Sequence, residues 1–155
     1  MKVCQFMALL EQMRIEEWEY DHDTAYGRVD CVGIYRYTMY WYYSASSVKA
    51  LKISTHVEGT YRNSVYNKTD PKKNVVGKGK IDANTEFRIG MGLFRNPFGD
   101  DGHFAVYVGN YFPGYENAVI ESVYGGVIIR ELSESEAIND PFTHYGHMKG
   151  IDYTN

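Results

Sequence analysis

Apolar residues recur at intervals of three and four along the first part of the chain. Between residues 2 and 18, the apolar positions with this spacing are Val3, Phe6, Met7, Leu10 and Met13. In an α-helix such positions line up on one side and form a single apolar face. The pattern therefore predicts an amphipathic helix over 2–18, and the turn-forming residues of 21–28 predict where the pattern stops.

The aromatic-rich segment after this turn predicts a second helix. Its apolar face consists of Ile34, Tyr37, Thr38 and Trp41. Aromatic residues and threonine also suit strands, but the spacing of this face favours a helix that starts near Cys31 and runs to about residue 52. Residues 52–85 show scattered turn residues and little periodicity, which predicts irregular structure with at most one short helix.

Short strands are predicted in the last third of the chain. Apolar runs bounded by Gly, Pro, Asp and Asn occur at 88–95, 103–110, 117–123, 126–132 and 147–153. Helices first and strands afterwards indicate the α+β class with an antiparallel sheet. The chain has 155 residues and no evident internal repeat, so we predict one domain over 1–155.

Charge and hydropathy limit the classes of partner. The net charge is −4, whereas nonspecific binding to nucleic acid needs clustered Lys and Arg. The one basic stretch, 67–80, contains Pro, Gly and Asn and is predicted to be a solvated loop. The sequence contains no run of about 18 apolar residues, which a membrane span would need. Residues 1–13 lack the features of a signal peptide. We therefore expect synthesis in the cytoplasm, with a separate route of release if the protein acts elsewhere.

The tyrosine content is unusual. Fifteen of the 155 residues are tyrosine, and each offers a flat apolar ring with a polar tip, which suits a groove that binds carbohydrate or peptide. A tyrosine-rich sheet surface explains the same composition equally well. Composition alone leaves both interpretations open.

Cys31 is the first candidate for chemistry. Two cysteines, Cys4 and Cys31, do not make a disulfide framework in a chain of this length. Cys31 lies at the predicted start of the second helix, where the partial positive charge of the helix end would lower the pKa of a thiol. Free cysteine is also often buried and inert, and position alone favours this second interpretation.

A nucleophilic cysteine needs a base and a group that orients the base. Of the five histidines, His103 stands at the head of a predicted strand, which is a rigid platform, although a lone histidine there is more often structural. Glu121 interrupts an apolar strand, where a carboxylate is costly unless it is paired. If 103–109 and 115–121 form an antiparallel hairpin, position 103 faces position 121, and Glu121 can accept a hydrogen bond from the imidazole. The alternative is a half-exposed strand residue.

Other chemistries have weaker support in the sequence. His144 and His147, like the Asp-His-Asp run at 21–23, lack a third metal ligand at a usual spacing. The segment 77–80 lacks the strand and helix that flank a phosphate-binding loop. Ser122 and the serines of 44–47 do not lie in a GxSxG motif. The residues therefore give a metal site little support.

Four segments together resemble a known family. "GRVDCVG", "IGMGLFR", "GHFAVYVGN" and "VIESVYGGVIIREL", in this order and rough spacing, are similar to the NlpC-like papain-fold cell-wall cysteine peptidases, and most to the small lysins of phages and mobile elements. The resemblance covers roughly residues 18–132. It implies a papain-like NlpC-type fold, in which N-terminal helices pack on a C-terminal antiparallel sheet.

The resemblance also implies site residues by motif position. Cys31 matches the nucleophile, His103 the base and Glu121 the third catalytic residue of the family. Asp30 matches the acidic residue that binds the free amine of the substrate. Tyr20 is a looser match to the tyrosine of the P-Y-x-x-G segment before the cysteine.

The chain departs from the family pattern at three places. Val32 replaces the serine that usually follows the cysteine and often holds the N-terminal end of the substrate. Ile89-Gly90 replaces Pro-Gly, and Phe104-Ala105 replaces the Val-Gly that usually follows the histidine. The first departure leaves the choice of substrate open.

The activity that the resemblance implies is hydrolysis of amide bonds in bacterial peptidoglycan, a reaction for which we expect neither a metal nor an organic cofactor. The expected bond is γ-D-glutamyl to the diamino acid in the stem or cross-link peptide. The alternatives are an N-acetylmuramoyl-L-alanine amidase, a Cys-His acyltransferase or transglutaminase-like enzyme, and an inactive wall-binding homologue. We expect a monomer without nucleic-acid or membrane partners, which reaches the cell wall through a holin-type pore or another route of release.

Overall fold

The computed structural model describes residues 1–65, 69–70 and 75–154. Its helices are α1 (Val3–Ile15), α2 (Gly33–Tyr42), α3 (Ala45–Leu51), α4 (Val57–Arg62) and α5 (Leu132–Ile138). Its strands are β1 (Glu19–Tyr20), β2 (Arg28–Val29), β3 (Thr69–Asp70), β4 (Val75–Val76), β5 (Lys78–Lys80), β6 (Gly92–Arg95), β7 (His103–Gly109), β8 (Ala118–Val123), β9 (Gly126–Glu131) and β10 (His144–Gly146).

Six strands of the described residues form one antiparallel sheet. The order across the sheet is β5-β10-β6-β7-β8-β9, and each neighbouring pair is antiparallel. The short strands β1 and β2 pair in parallel, and β3 pairs with β4. This mixture of helices with an antiparallel sheet is compatible with the predicted α+β class. Over the same residues, no helix has both the length and the hydropathy needed to cross a membrane.

Helices α1 and α2 pack against one face of the sheet. The predicted apolar face of α1 is confirmed, because four of its five members have no solvent exposure, namely Phe6, Met7, Leu10 and Met13. One buried cluster joins them to α2 and the sheet through Ile34, Met39, Phe104, Val106 and Ile120. Each such side chain contributes roughly 1.5–3 kcal/mol when it is fully buried, so this layer holds α2 firmly against β7 and β8.

The predicted second helix is wrong in its length. The backbone becomes extended at Tyr43, where ψ is 157°, and α3 begins after Ser44. The Ser44 hydroxyl accepts a hydrogen bond from the backbone N–H of Ser47 at 3.3 Å. Since the first N–H groups of a helix need such acceptors, Ser44 starts a new helix and divides the predicted one into two.

Helix α5 covers the opposite face of the sheet, and the sequence patterns do not predict it. Its Leu132 belongs to a second buried cluster, whose other members are Leu93, Ala105, Val119 and Phe142. The helix contacts both β8 and β9. Strand β8 is therefore covered on both faces, and Glu121 in its middle has no solvent exposure.

The predicted strands are confirmed in the centre of the sheet and corrected elsewhere. Strands β7, β8 and β9 agree with 103–110, 117–123 and 126–132 to within one residue at each end. The prediction of a strand at 147–153 is wrong. The observed strand is β10, which ends at Gly146 before the predicted range begins, and the chain then turns at Gly150, where φ is 82°. Strand β6 is shorter than predicted, since Gly90, with φ of 94°, turns the chain just before it.

The middle of the chain is more regular than predicted. Helix α4 confirms the one short helix expected between 52 and 85. Strand β5 pairs with β10 at the edge of the sheet, so the basic stretch 67–80 is not a loop throughout. Residues 67–68 and 71–74 of that stretch lie outside the described residues.

Gly92→Ala should destabilise the protein by about 1–3 kcal/mol through overpacking. A Cβ at this position of β6 would lie 2.5 Å from Met148 Sδ and 2.7 Å from Phe104 Cε2, inside the core. Urea unfolding followed by far-UV circular dichroism measures the change. Gly79→Ala in β5 is the control, because its Cβ would meet nothing closer than 3.6 Å; equal stabilities for the two variants would contradict the packing.

Candidate active site

The turn into α2 fixes the position of Cys31. The Asp30 carboxylate accepts a hydrogen bond from the backbone N–H of Gly33 at 2.7 Å, so Asp30 caps the start of the helix. A Cβ on Gly33 would lie 2.7 Å from Thr24 Oγ1 and 2.9 Å from Asp30 Oδ1. Glycine is therefore required for this close approach, and Cys31 lies in the turn between the cap and the helix, as predicted to within two residues.

Tyr20 lies beside this turn. Strand β1 pairs with β2 so that Tyr20 is opposite Val29, two residues before Cys31. Burial, followed by the nearby Cys31 and Asp30, raises the pKa of the Tyr20 hydroxyl. The structure thus brings together three of the sequence-predicted site residues at one end of the sheet.

The Cys31 thiol is neutral at neutral pH in the free protein. Burial raises its pKa to about 11, and the negative charge of Asp30 acts in the same direction. Hydrogen bonding from the backbone of Phe104 and from the start of the helix opposes this shift but is outweighed. The start of the helix thus acts in the predicted direction, but the predicted net lowering of the pKa is wrong, since desolvation disfavours the thiolate more strongly than the helix start stabilises it.

The predicted contact between His103 and Glu121 is present. Imidazole Nε2 and Glu121 Oε1 are 2.7 Å apart. The assumed hairpin register is wrong by two residues, because Val106 faces Ile120 and the ladder then shifts beyond Tyr107. A shift of two residues keeps each side chain on the same face of a strand, so the contact forms diagonally instead of directly across.

Arg130 is the second partner of Glu121, and the sequence-based prediction missed it. Its Nε donates a hydrogen bond to Glu121 Oε2 at 2.7 Å from the neighbouring strand β9. Burial alone would raise the pKa of Glu121, but the hydrogen bonds and charges of His103 and Arg130 lower it to about 2. Glu121 is therefore an ionised carboxylate at all pH values near neutrality.

The ionised carboxylate determines the tautomer of the neutral His103 ring. A carboxylate can only accept hydrogen bonds, so Nε2 must carry the proton that it shares with Glu121. The lone pair is then on Nδ1, which has no hydrogen-bond partner among the described residues. A stack on Phe142, with ring centroids 6.2 Å apart and planes at 28°, further fixes the ring. His103 is thus oriented as a base with Nδ1 available.

Cys31 and His103 approach each other at the start of β7. Cys31 packs against the core cluster that contains Phe104, the residue directly after His103, and the Phe104 backbone acts to lower the pKa of the thiol. No hydrogen bond joins the thiol to the imidazole among the described residues. Two neighbouring cavities, of about 420 Å³ at Cys31 and about 720 Å³ at His103, share Tyr20 and Gly102 in their linings. Four of the five predicted site residues therefore line one divided cleft, and the fifth, Glu121, lies buried behind His103.

Several further residues line this cleft. His22, His56, Glu58 and Asp100 lie in the cavity of Cys31, and His22 packs edge-on against Tyr20 at 5.5 Å between ring centroids. Arg95 lines the cavity of His103 and is opposite His103 in the sheet. Their places depend on how distant segments pack together, which no local sequence pattern indicates.

Comparisons with known proteins do not assign this site. No protein-family model matches the chain, and no curated protein sequence matches it significantly. Within residues 1–65, 69–70 and 75–154, no group of three or more His, Cys, Asp or Glu side chains is arranged to hold a metal ion.

Glu121 should make the stability of the protein depend on acid pH. Its folded pKa is about 2, below the value of about 4.3 for an exposed glutamate. The unfolded chain therefore takes up the proton first, so this stabilisation is complete above about pH 5 and is lost as the pH falls towards 2. The shift corresponds to roughly 3 kcal/mol.

Urea unfolding of wild type and Glu121→Gln between pH 7 and pH 3 measures this effect. The difference in free energy of unfolding between the two proteins should shrink as the pH falls. Glu134→Gln, at an exposed position of α5, is the matched control and should follow wild type. Parallel curves for wild type and Glu121→Gln would show that the carboxyl is not ionised in the folded state.

The two cysteines should differ in reactivity. Cys4 is exposed, and Cys31 is half-buried with a pKa of about 11, so we expect iodoacetamide at pH 7.5 to alkylate Cys31 roughly a hundredfold more slowly than an exposed thiol. Peptide mass mapping of the native protein at timed intervals measures both rates. In urea the two rates should become similar; native labelling of Cys31 as fast as Cys4 would contradict the neutral thiol.

Proposed function

We propose that this protein is a peptidoglycan hydrolase in which Cys31 attacks an amide carbonyl of the stem or cross-link peptide. The observation that carries the proposal is the group of contacts at the start of β7. There Cys31 packs against the cluster that contains Phe104, the residue that follows His103, while Glu121 orients the His103 ring. A nucleophile, a base and a carboxylate that orients the base, arranged in this order in space, are the groups that acyl transfer by a cysteine requires.

The order of proton transfers follows from the ionisation of these groups. Cys31 begins as a neutral thiol and passes its proton to Nδ1 of His103 as it attacks the carbonyl. Backbone N–H groups at the start of α2 stabilise the oxyanion. His103 then donates the proton to the leaving amine, and afterwards activates a water molecule that hydrolyses the thioester. Glu121 stays ionised throughout and stabilises the imidazolium.

Asp30 and Tyr20 are proposed to hold the substrate. One oxygen of Asp30 caps α2, and its other oxygen is left for the free amine of the substrate. An ammonium group there would neutralise the charge that raises the pKa of the Cys31 thiol, so binding of substrate would itself favour the thiolate. Tyr20 lines both cavities of the cleft and offers a ring and a hydroxyl to the substrate.

The fold is proposed to be of the papain-like NlpC type. In support, a cysteine at the start of a helix packs against the strand that the histidine heads, and the third residue lies on the next strand. Val32, at the position of the usual serine, is 2% exposed and belongs to the core. We infer that the N-terminal end of the substrate is held without that hydroxyl, and that the protein reaches the wall after release through a pore.

A non-catalytic wall-binding protein is the second candidate. The observation that favours it is the neutral Cys31, whose pKa of about 11 leaves very little thiolate at neutral pH. In such a protein the cleft would bind the stem peptide without turnover. Binding without cleavage by the intact wild-type protein would select this candidate.

Replacing Cys31 with alanine should reduce wall cleavage at least about a thousandfold, because the nucleophile is lost. Zymography and release of dye from labelled cell walls of several chemotypes measure cleavage by wild type, Cys31→Ala, His103→Ala and Glu134→Gln. The Glu134 variant, at an exposed position of α5, is the control and should retain full activity. The hydrolase proposal fails if folded wild type clears no wall, and the site is wrong if Cys31→Ala cleaves as well as wild type.

Mass spectrometry of the released muropeptides identifies the bond. A new N-terminus on the diamino acid indicates the proposed endopeptidase, whereas a free lactyl group on muramic acid indicates an N-acetylmuramoyl-L-alanine amidase. Added amine acceptors that appear in the products would indicate an acyltransferase. We expect the first result.

A further inference from the structure

A further cavity lies at the far end of β7 from His103. Strand β7 runs from His103 to Gly109, so the two ends are about 20 Å apart. The cavity has a volume of about 800 Å³ and is lined by the end of β7, the loop that follows it, the segment before β6 and the start of α1. None of the five residues proposed for the hydrolytic site takes part, so the cavity is separate from that site.

Irregular backbone shapes this cavity. The pairing of β7 with β8 shifts between Tyr107 and Gly109, and such bulges bend a strand and redirect its side chains. Gly109 has φ of 53°, and Asn117 has φ of 36°, a conformation that asparagine tolerates better than most residues. The Tyr107 hydroxyl donates to Asn117 Oδ1 at 2.7 Å, which fixes the ring of one and the amide of the other.

Four aromatic rings contribute to the lining. Tyr111 is 43% exposed, while Phe87, Tyr107 and Tyr115 are half-buried. Phe87 and Tyr107 contact each other, with ring centroids 5.2 Å apart. The walls therefore offer rigid apolar faces, which lose little conformational entropy when a ligand packs on them.

Amides and two opposite charges supply the polar part of the lining. Asn110 and Asn117 are exposed and can both donate and accept hydrogen bonds. Arg88 and Glu116 carry one charge each and of opposite sign, so the lining has no net charge. A neutral ligand with apolar faces and many hydroxyl groups fits such a surface, whereas a nucleotide would need an excess of positive charge.

We propose that this cavity binds a saccharide. Pyranose rings present C–H faces that pack on aromatic rings and an edge of hydroxyls that bonds to amides, which are the two kinds of group present here. The proposal does not depend on Cys31 or on cleavage. If the proposed wall hydrolysis also holds, the cavity would bind the glycan strand at a distance from the scissile peptide.

Titration of chitotetraose and of cellotetraose into Cys31→Ala protein tests the proposal, because this variant separates binding from any turnover. Two-dimensional ¹H–¹⁵N spectra recorded with up to 10 mM ligand report the affected residues. We expect saturable shifts for at least one saccharide, centred on residues 107–117. Tyr111→Ala should weaken this binding about threefold to tenfold, and because Tyr111 is exposed the variant should fold normally.

Tyr40→Ala is the matched control. Tyr40 is 49% exposed on α2, outside the cavity, and its replacement should leave saccharide binding unchanged. Absence of saturable binding by the folded protein would overturn the proposal, as would equal affinity for Tyr111→Ala and wild type. A neutral tetrapeptide that binds at residues 107–117 when neither saccharide does would show instead that the cavity is a peptide site.

Discussion

The Glu121 carboxylate lies inside the sheet without solvent exposure, between His103 on one neighbouring strand and Arg130 on the other. An ionised group in such a place is very costly unless its partners compensate for the lost hydration. Three adjacent strands, β7, β8 and β9, each contribute one member of this group. A slip of one residue in either ladder would turn Glu121 to the opposite face of the sheet, towards α1 and α2, and leave a buried charge unpaired. The same contacts that orient His103 therefore also select the register of the central sheet.

Local periodicity was sufficient to predict the regular elements that pack against each other. Helix α1 and the strands β7, β8 and β9 have clear patterns because each has a face in the core. The division of the second helix at Tyr43 and the presence of α5 were not predictable in this way. The first depends on one serine cap within a helix-compatible run, and the second is a short helix whose Leu132 becomes buried only when the sheet exists.

The candidate site was predictable to a similar degree. Glu121 pairs with His103 although the assumed register was wrong, because any even shift preserves the face of a strand. Arg130 could have been found from the predicted strands 117–123 and 126–132, since a turn at 124–125 places residue 130 diagonally across from residue 121. The raised pKa of Cys31 could not have been predicted from the sequence. It depends on burial of the thiol against β7, and burial is a property of the tertiary structure.

The site therefore combines one ionised group, Glu121, with one neutral group, Cys31. Glu121 is held as an anion by two donors, while Cys31 is held as a neutral thiol by desolvation and by the charge of Asp30. A neutral thiol is a poor nucleophile, so the resting protein would be inactive towards water-exposed amides. In the proposed mechanism, a substrate ammonium at Asp30 removes one of the two causes of the raised pKa. Burial of the thiol, the other cause, remains, so proton transfer to His103 has to accompany the attack. A cysteine poised in this way would act only on a substrate that carries both the amine and the amide.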